Sequence, residues 1–196
     1  MGERMGQVHR KTGETDVRVG INLDGQGKAG LQTQVPFLDH MLTLFAVHGF
    51  FDLTIEARGD LEIDAHHTVE DIGITLGEAL AQAVGERKSI RRYGEAHVPM
   101  DEACARVVLD LSNRPYLLYE VPPMGARAGD FETELMPEFL RALSQRGGIT
   151  LHVHVLYGSN THHMIEAVFK ALGRALDQAT QLDPRRGGVP SSKGAL

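Results

Sequence analysis

Ala65-His66-His67-Thr68-Val69-Glu70-Asp71-Ile72 and Thr161-His162-His163-Met164-Ile165-Glu166-Ala167-Val168 are one pattern written twice. Each copy reads His-His-x-x-Glu and opens a run with helical periodicity. On a helix, residues three and four apart share a face, so Glu70 lies near both His66 and His67, and Glu166 near both His162 and His163. Adjacent residues point about 100° apart around the axis, so the two histidines of a pair are poorly placed to serve one ion. Each pair more naturally divides its imidazoles between two ions. The mixed nitrogen and oxygen donors suit Mn, Fe or Zn better than Ca or Mg. A glutamate in the first turn of a helix is favourable on electrostatic grounds alone. Recurrence at matching places argues for a duplicated unit with a ligand cluster in each half.

The 196 residues, 42% hydrophobic, suffice for one large core. The net charge of −6 gives no general attraction to nucleic acid or to an anionic membrane. Basic residues nevertheless cluster, at Arg87, Lys88, Arg91 and Arg92 and again at Arg185, Arg186 and Lys193, which suits a small anionic ligand. The single cysteine, Cys104, excludes an internal disulfide. No stretch approaches the roughly 20 apolar residues of a membrane helix, and Met1-Gly2-Glu3-Arg4 lacks a signal-peptide pattern, so a cytoplasmic location is expected.

Outward from the two copies, the chain alternates strand and helix patterns. Residues 8–24 read as one amphipathic strand through Val17, Val19, Ile21 and Leu23, with Glu14 at its start. After the turn at Asp24-Gly25-Gln26-Gly27, residues 28–35 read as a second strand. A helix begins at Pro36, carrying His40 and His48. Phe51–Ala57 alternates, and Leu61–Asp64 reads as a short strand before the first His pair. The second half follows suit, with strands at 98–111 and 115–121, a helix from Met136, a strand at 149–157 and the second His pair. Asp101 and Glu102 fall near the place that Glu14 holds, and Met136-Pro137-Glu138-Phe139-Leu140 mirrors Val35-Pro36-Phe37-Leu38. The tail from Pro184 is rich in Pro, Gly, Ser, Arg and Lys and by itself reads as disordered. From residues alone the reading is a dinuclear metal site with an anionic ligand. A metal-storage shell and a dinuclear phosphate-ester hydrolase both fit it.

Longer motifs narrow this. Phe37-Leu38-Asp39-His40-Met41, Asp64 to Asp71, Ser112-Asn113-Arg114-Pro115-Tyr116, Asn160 to Ala167 and Pro190-Ser191-Ser192-Lys193-Gly194 resemble imidazoleglycerol-phosphate dehydratase of histidine biosynthesis. The resemblance runs from about residue 8 to the end. It implies an α/β (α+β) fold, an internally duplicated unit of the ribosomal-protein S5 domain 2-like type, with helices packed between two four-stranded sheets. It implies one domain over 1–196, made of repeats at about 8–92 and 93–183 and a substrate-binding tail at 184–196, in the single-function form without a phosphatase domain. It further implies a 24-subunit shell, two Mn²⁺ per active site, and a hydro-lyase reaction. D-erythro-imidazole-glycerol phosphate would become imidazole-acetol phosphate plus water.

By the same resemblance the metal ligands are His40, His66, His67, Glu70, His162, His163 and Glu166. An eighth ligand, commonly histidine, falls on Glu138, with His152 as a candidate substitute. The substrate phosphate matches Arg92, Arg114, Ser192 and Lys193, a combination of planar forks and a point charge. These contacts imply that the tail orders over the ligand. Glu14 matches the carboxylate at the reacting carbons, and Glu70 and Glu166 complete the catalytic carboxylates. The ligand residues and Glu14 also line the substrate.

Overall fold

The computed structural model describes residues 4–192 and 194. Its first strands form a hairpin, β1 (Met5–Lys11) and β2 (Thr15–Asn22), where the alternation over 8–24 suggests one strand. The inward parity shows the reversal. Gly6 and Val8 face in on β1, but Thr15, Val17, Val19 and Ile21 face in on β2. The parity changes across Thr12-Gly13-Glu14, whose turn is closed by the Thr12 hydroxyl accepting from the backbone N–H groups of Glu14 and Thr15. Strand β3 (Ala29–Gln32), helix α1 (Pro36–Gly49) and β4 (Asp52–Gly59) follow, then α2 (His66–Val84). The first sheet runs β1-β2-β4-β3, antiparallel except for the β3–β4 pair that α1 connects. Leu61–Asp64 is a turn, not a strand, with the Ile63 N–H on the Asp60 carbonyl and the Ile63 side chain exposed.

The second half repeats the scheme with β5 (Tyr93–Met100), β6 (Ala103–Asp110), β7 (Tyr116–Glu120), α3 (Leu135–Gly147), β10 (Thr150–Tyr157) and α4 (Thr161–Thr180). Its sheet runs β5-β6-β10-β7, the same order element for element. A two-residue turn at Asp101-Glu102 makes β5 and β6 a hairpin, so each half gives three strands to its four-stranded sheet before its first helix. The β7–α3 connection alone carries a small extra hairpin, β8 (Arg127–Ala128) with β9 (Phe131–Glu132). Among the described residues, no helix is long and apolar enough to cross a membrane.

Each sheet buries one face under helices, and the helices pair across the halves. α2 covers β1 and β2 and packs on α3; α4 covers β5 and β6 and packs on α1. The result is sheet, helices, helices, sheet, with one continuous core that includes Phe45, Phe51, Phe139 and Phe169. Glycines set the crossings. A Cβ on Gly77 would lie 2.9 Å from the Leu143 carbonyl oxygen and the Gly147 nitrogen, and one on Gly173 would lie 2.4 Å from the Phe45 carbonyl oxygen. Phe45 therefore corresponds to Leu143, and Gly49 to Gly147. Five residues before each stand His40 and Glu138. The packing thus corrects the proline-based mirror and puts Glu138 at the place of His40.

Gly94 on β5 is pressed against α4 so closely that an added Cβ would lie 1.8 Å from the Ala175 carbonyl oxygen. Backbone on both sides leaves no side chain to give way. Gly94→Ala is expected to destabilise the folded chain by about 1–3 kcal/mol or more through overpacking. Urea unfolding checks this, and an unchanged midpoint would contradict the tight sheet–helix contact.

Candidate metal centre and active site

The first turn of α4 begins at Asn160, whose side-chain oxygen accepts from the backbone N–H groups of His162 (2.9 Å) and His163 (3.3 Å). The cap fixes the start of the helix, and the two imidazoles then diverge. His162 Nε2 lies 3.1 Å from Glu166 Oε2, one turn on. His40, from α1, brings its Nε2 to 3.6 Å from the same oxygen. The ligand atoms of His40, His162 and Glu166 all fall within 4.8 Å of one another, a nitrogen and oxygen set that fits a first-row metal. Phe37 supports His162 edge-on at 5.2 Å and stacks on Phe131 of the extra hairpin at 5.0 Å. Phe37 and Phe131 also wall an open cleft of about 700 Å³ that reaches Asp64 and Ala65, just before the first His pair.

Glu166 is buried, and burial alone would raise its carboxyl. The Lys170 ammonium, 2.7 Å from Oε1, together with His162 and His40, outweighs this and holds the carboxyl below its ordinary value. Lys170 thus occupies one oxygen and leaves Oε2 facing the two histidines. The corresponding place on α2 is Ile74, so Glu70 has no such lysine.

His163 points elsewhere. Its Nδ1 lies 2.7 Å from Glu102 Oε2, and Glu102 also accepts from the backbone N–H groups of Asn160 (2.7 Å) and Ser159 (3.1 Å). The hydrogen bond with His163 is the main reason the Glu102 carboxyl is pulled down to about 2, and the same contact raises the imidazole. With Nδ1 engaged by a carboxylate, Nε2 is the nitrogen left for a metal.

The first half repeats this with different partners. Asp64 accepts from the His66 backbone N–H at 2.7 Å, as Asn160 does for His162. His67 Nδ1 lies 3.0 Å from Asp60 Oδ2 and 3.8 Å from Glu14 Oε2. The Asp60 hydrogen bond raises the His67 imidazole. The structure brings Glu14 and His67 together, but among the described residues it gathers no three-ligand cluster from His66, His67 and Glu70. Glu138, at the place of His40, is paired with Arg141 one turn along α3. His152 stands on the β10 face opposite the helices, with its ring against Tyr116.

The residues matched to phosphate gather at the edge of the second sheet. Arg92 is buried and holds Asp110 with Nε (2.6 Å) and Nη2 (2.9 Å), and its Nη1 donates to the Pro190 carbonyl at 2.7 Å. Arg114 is exposed, with Nη2 3.7 Å from Asp110. The tail is strapped down rather than loose: Gly188 accepts from the Ser89 N–H, and Pro190 from Arg92. Ser192 is exposed beside this strap, and Lys193 lies outside the described residues. Sequence reading missed Asp60 and Lys170. The hairpin turns were the signal for Glu102, which stands where Glu14 stands in the other half.

The sequence model of the imidazoleglycerol-phosphate dehydratase family matches residues 33–176. Two similar relatives carry that name. One from Syntrophobacter fumaroxidans is 68% identical over 195 residues, covering 100% of this chain and 99% of its own. One from Bacillus subtilis is 59% identical over 187 residues, covering 95% and 96%. Among solved structures, the Staphylococcus aureus imidazoleglycerol-phosphate dehydratase superimposes with a TM-score of 0.81 at 42% identity, over 91% of this chain and 98% of that one. The Pyrococcus furiosus protein gives 0.84 at 41%, over 96% and 100%.

The Glu102–His163 pair makes a pH prediction for metal-free protein. The depressed Glu102 contributes stability above its ordinary value of 4.5, lost as pH falls through about 2. The raised His163 contributes below 6.5, lost as pH rises through its folded value. Glu102→Gln is therefore expected to destabilise chelated protein most between about pH 4.5 and 6.5, with the gap closing on either side. Urea unfolding across pH 3–8 checks it, and a gap independent of pH would refute the pairing.

Proposed function

The chain belongs to the imidazoleglycerol-phosphate dehydratase family and is a hydro-lyase of histidine biosynthesis, and on that basis we propose its product, metal dependence and assembly. It dehydrates imidazoleglycerol phosphate. The proposed product is imidazole-acetol phosphate, formed with water and without loss of the phosphate. The reaction removes a hydroxyl and the hydrogen of the neighbouring carbon, and the enol then becomes the ketone. No electron carrier is required.

The observation that carries metal dependence is the convergence of one ligand atom each from His40, His162 and Glu166 within 4.8 Å. Three donors leave open positions for further ligands and for substrate. The proposed ligand set is His40, His66, His67, Glu70, Glu138, His162, His163 and Glu166, taking two Mn²⁺. Bound ions would supply Lewis acidity that lowers the pKa of the substrate's imidazole N–H, and the electron-rich ring would then help expel hydroxide. The remaining steps belong to the chain. Glu14, with its side chain 58% exposed on the hairpin turn, removes the carbon-bound proton. Arg92, Arg114, Ser192 and Lys193 hold the phosphate; such positioning is worth about 7–11 kcal/mol in favourable cases. Arg141 pairs with Oε2 of Glu138, and Oε1 is the oxygen that would join.

The ligands of the first half do not close a cluster among the described residues, which supports completion of each site by a neighbouring copy. We take the assembly to be a 24-subunit shell, located in the cytoplasm.

Glu14→Gln is expected to keep Mn²⁺ and substrate binding but to lower turnover by about 10²-fold or more, the scale of a missing general base. Stopped assays for the ketone, with inorganic phosphate followed in parallel, test both parts. Unchanged turnover would sink the role of Glu14, and released phosphate would point to hydrolysis. Chelation should abolish ketone formation and Mn²⁺ should restore it.

A further inference from the structure

The duplicated hairpin turns carry Glu14 in one half and Glu102 in the other, and each faces the second histidine of a His pair. Their settings differ. Glu102 is held by His163 Nδ1 at 2.7 Å and by the backbone N–H groups of Ser159 and Asn160. Three hydrogen bonds leave it little freedom to approach a substrate. In the first half, His67 Nδ1 is taken at 3.0 Å by Asp60 Oδ2, and Glu14 stands off at 3.8 Å. The connecting segments explain the difference. Between β10 and α4 the chain is only Gly158-Ser159-Asn160, which offers no carboxylate and turns its N–H groups onto Glu102. Between β4 and α2 it runs from Asp60 to Ala65 and brings its own carboxylate. Asp60 is well placed to hold an imidazole. Its side chain is 14% exposed, and its other oxygen is buried with no partner among the described residues.

We infer that Asp60 is a positioning residue that holds His67 in place of Glu14 and thereby leaves Glu14 free to take the proton. The inference rests on the dehydratase reading above. Without Asp60, Glu14 has only to close a gap of 3.8 Å to become a histidine clamp like Glu102. The two turns would then do the same job, and the base would be lost.

The test uses the assembled, Mn²⁺-loaded protein with Asp60→Ala and Asp60→Asn. Four quantities are read: kcat, KM, manganese per subunit, and the primary isotope effect with substrate deuterated at the reacting C–H. For Asp60→Ala, kcat should fall by about 10²-fold or more, the general-base scale. KM should stay within about threefold, and the isotope effect should rise as proton removal becomes limiting. Asparagine offers His67 Nδ1 a neutral acceptor, so Asp60→Asn should recover kcat to within about tenfold of wild type. A wild-type kcat in Asp60→Ala overturns the inference. So does a loss that saturating Mn²⁺ fully repairs, since Asp60 would then matter only for metal binding. If the alanine variant fails to assemble, the asparagine variant decides: turnover as low as that of Glu14→Gln overturns the inference. Glu14→Gln separates the two readings. If it retains turnover, the role of Glu14 falls; if it is inactive while Asp60→Ala works normally, only the role of Asp60 falls.

Discussion

Two adjacent imidazoles at the start of a helix point in different directions, and the site is built around that divergence. His162 turns along its own helix to Glu166 and meets His40 from α1. His163 turns outward to the β5–β6 turn and Glu102. One dipeptide therefore ties two other elements of the fold, α1 and the β5–β6 turn, to a single helix start. The arrangement works only if the helix begins where it does, and the Asn160 cap fixes that start by satisfying the N–H groups of both histidines. Asp64 does the same for the His66 N–H in the first half.

Duplication supplies this constellation twice, and the halves have then diverged by single residues. Lys170 neutralises Glu166, whereas Ile74 leaves Glu70 without a cation at that place. His40 is answered by Glu138, which is engaged with Arg141. The turn carboxylates, Glu14 and Glu102, have the same place but different bonds. A pair of equal sites would place identical groups on both sides of a substrate. Unequal halves instead provide a candidate ligand cluster with a charge-compensated carboxylate on one side and an exposed carboxylate near a histidine on the other. That asymmetry suits a reaction that must expel a hydroxyl and remove a proton from neighbouring carbons.

The back-to-back packing is what lets residues far apart in sequence meet. His40 and Glu166 touch because α1 packs on α4, and that contact is as close as it is because Gly173 lies against the Phe45 carbonyl. Similarly, Arg92 joins the strand edge to the tail, holding Asp110 with one side of its guanidinium and the Pro190 carbonyl with the other. The tail has a disordered composition, yet a backbone bond from Ser89 and side-chain donation from Arg92 tie it down.

The four helices, the duplicated motif and the family can be read directly from the chain, because helical periodicity and the His-His-x-x-Glu spacing are local properties. The hairpins read as single strands because alternation continues through a short turn, and only the change of inward parity at Thr12–Glu14 and at Asp101-Glu102 marks the reversal. The proline-based mirror misplaces Glu138, since prolines can sit at different places in a first turn while a glycine crossing tolerates no shift. The sequence by itself determined the residue types of the candidate site, their duplication and the α/β class. Only the tertiary structure decided which histidine faces which carboxylate. Asp60, Glu102 and Lys170 acquire their roles through distances between elements, and no local pattern in the chain encodes those distances.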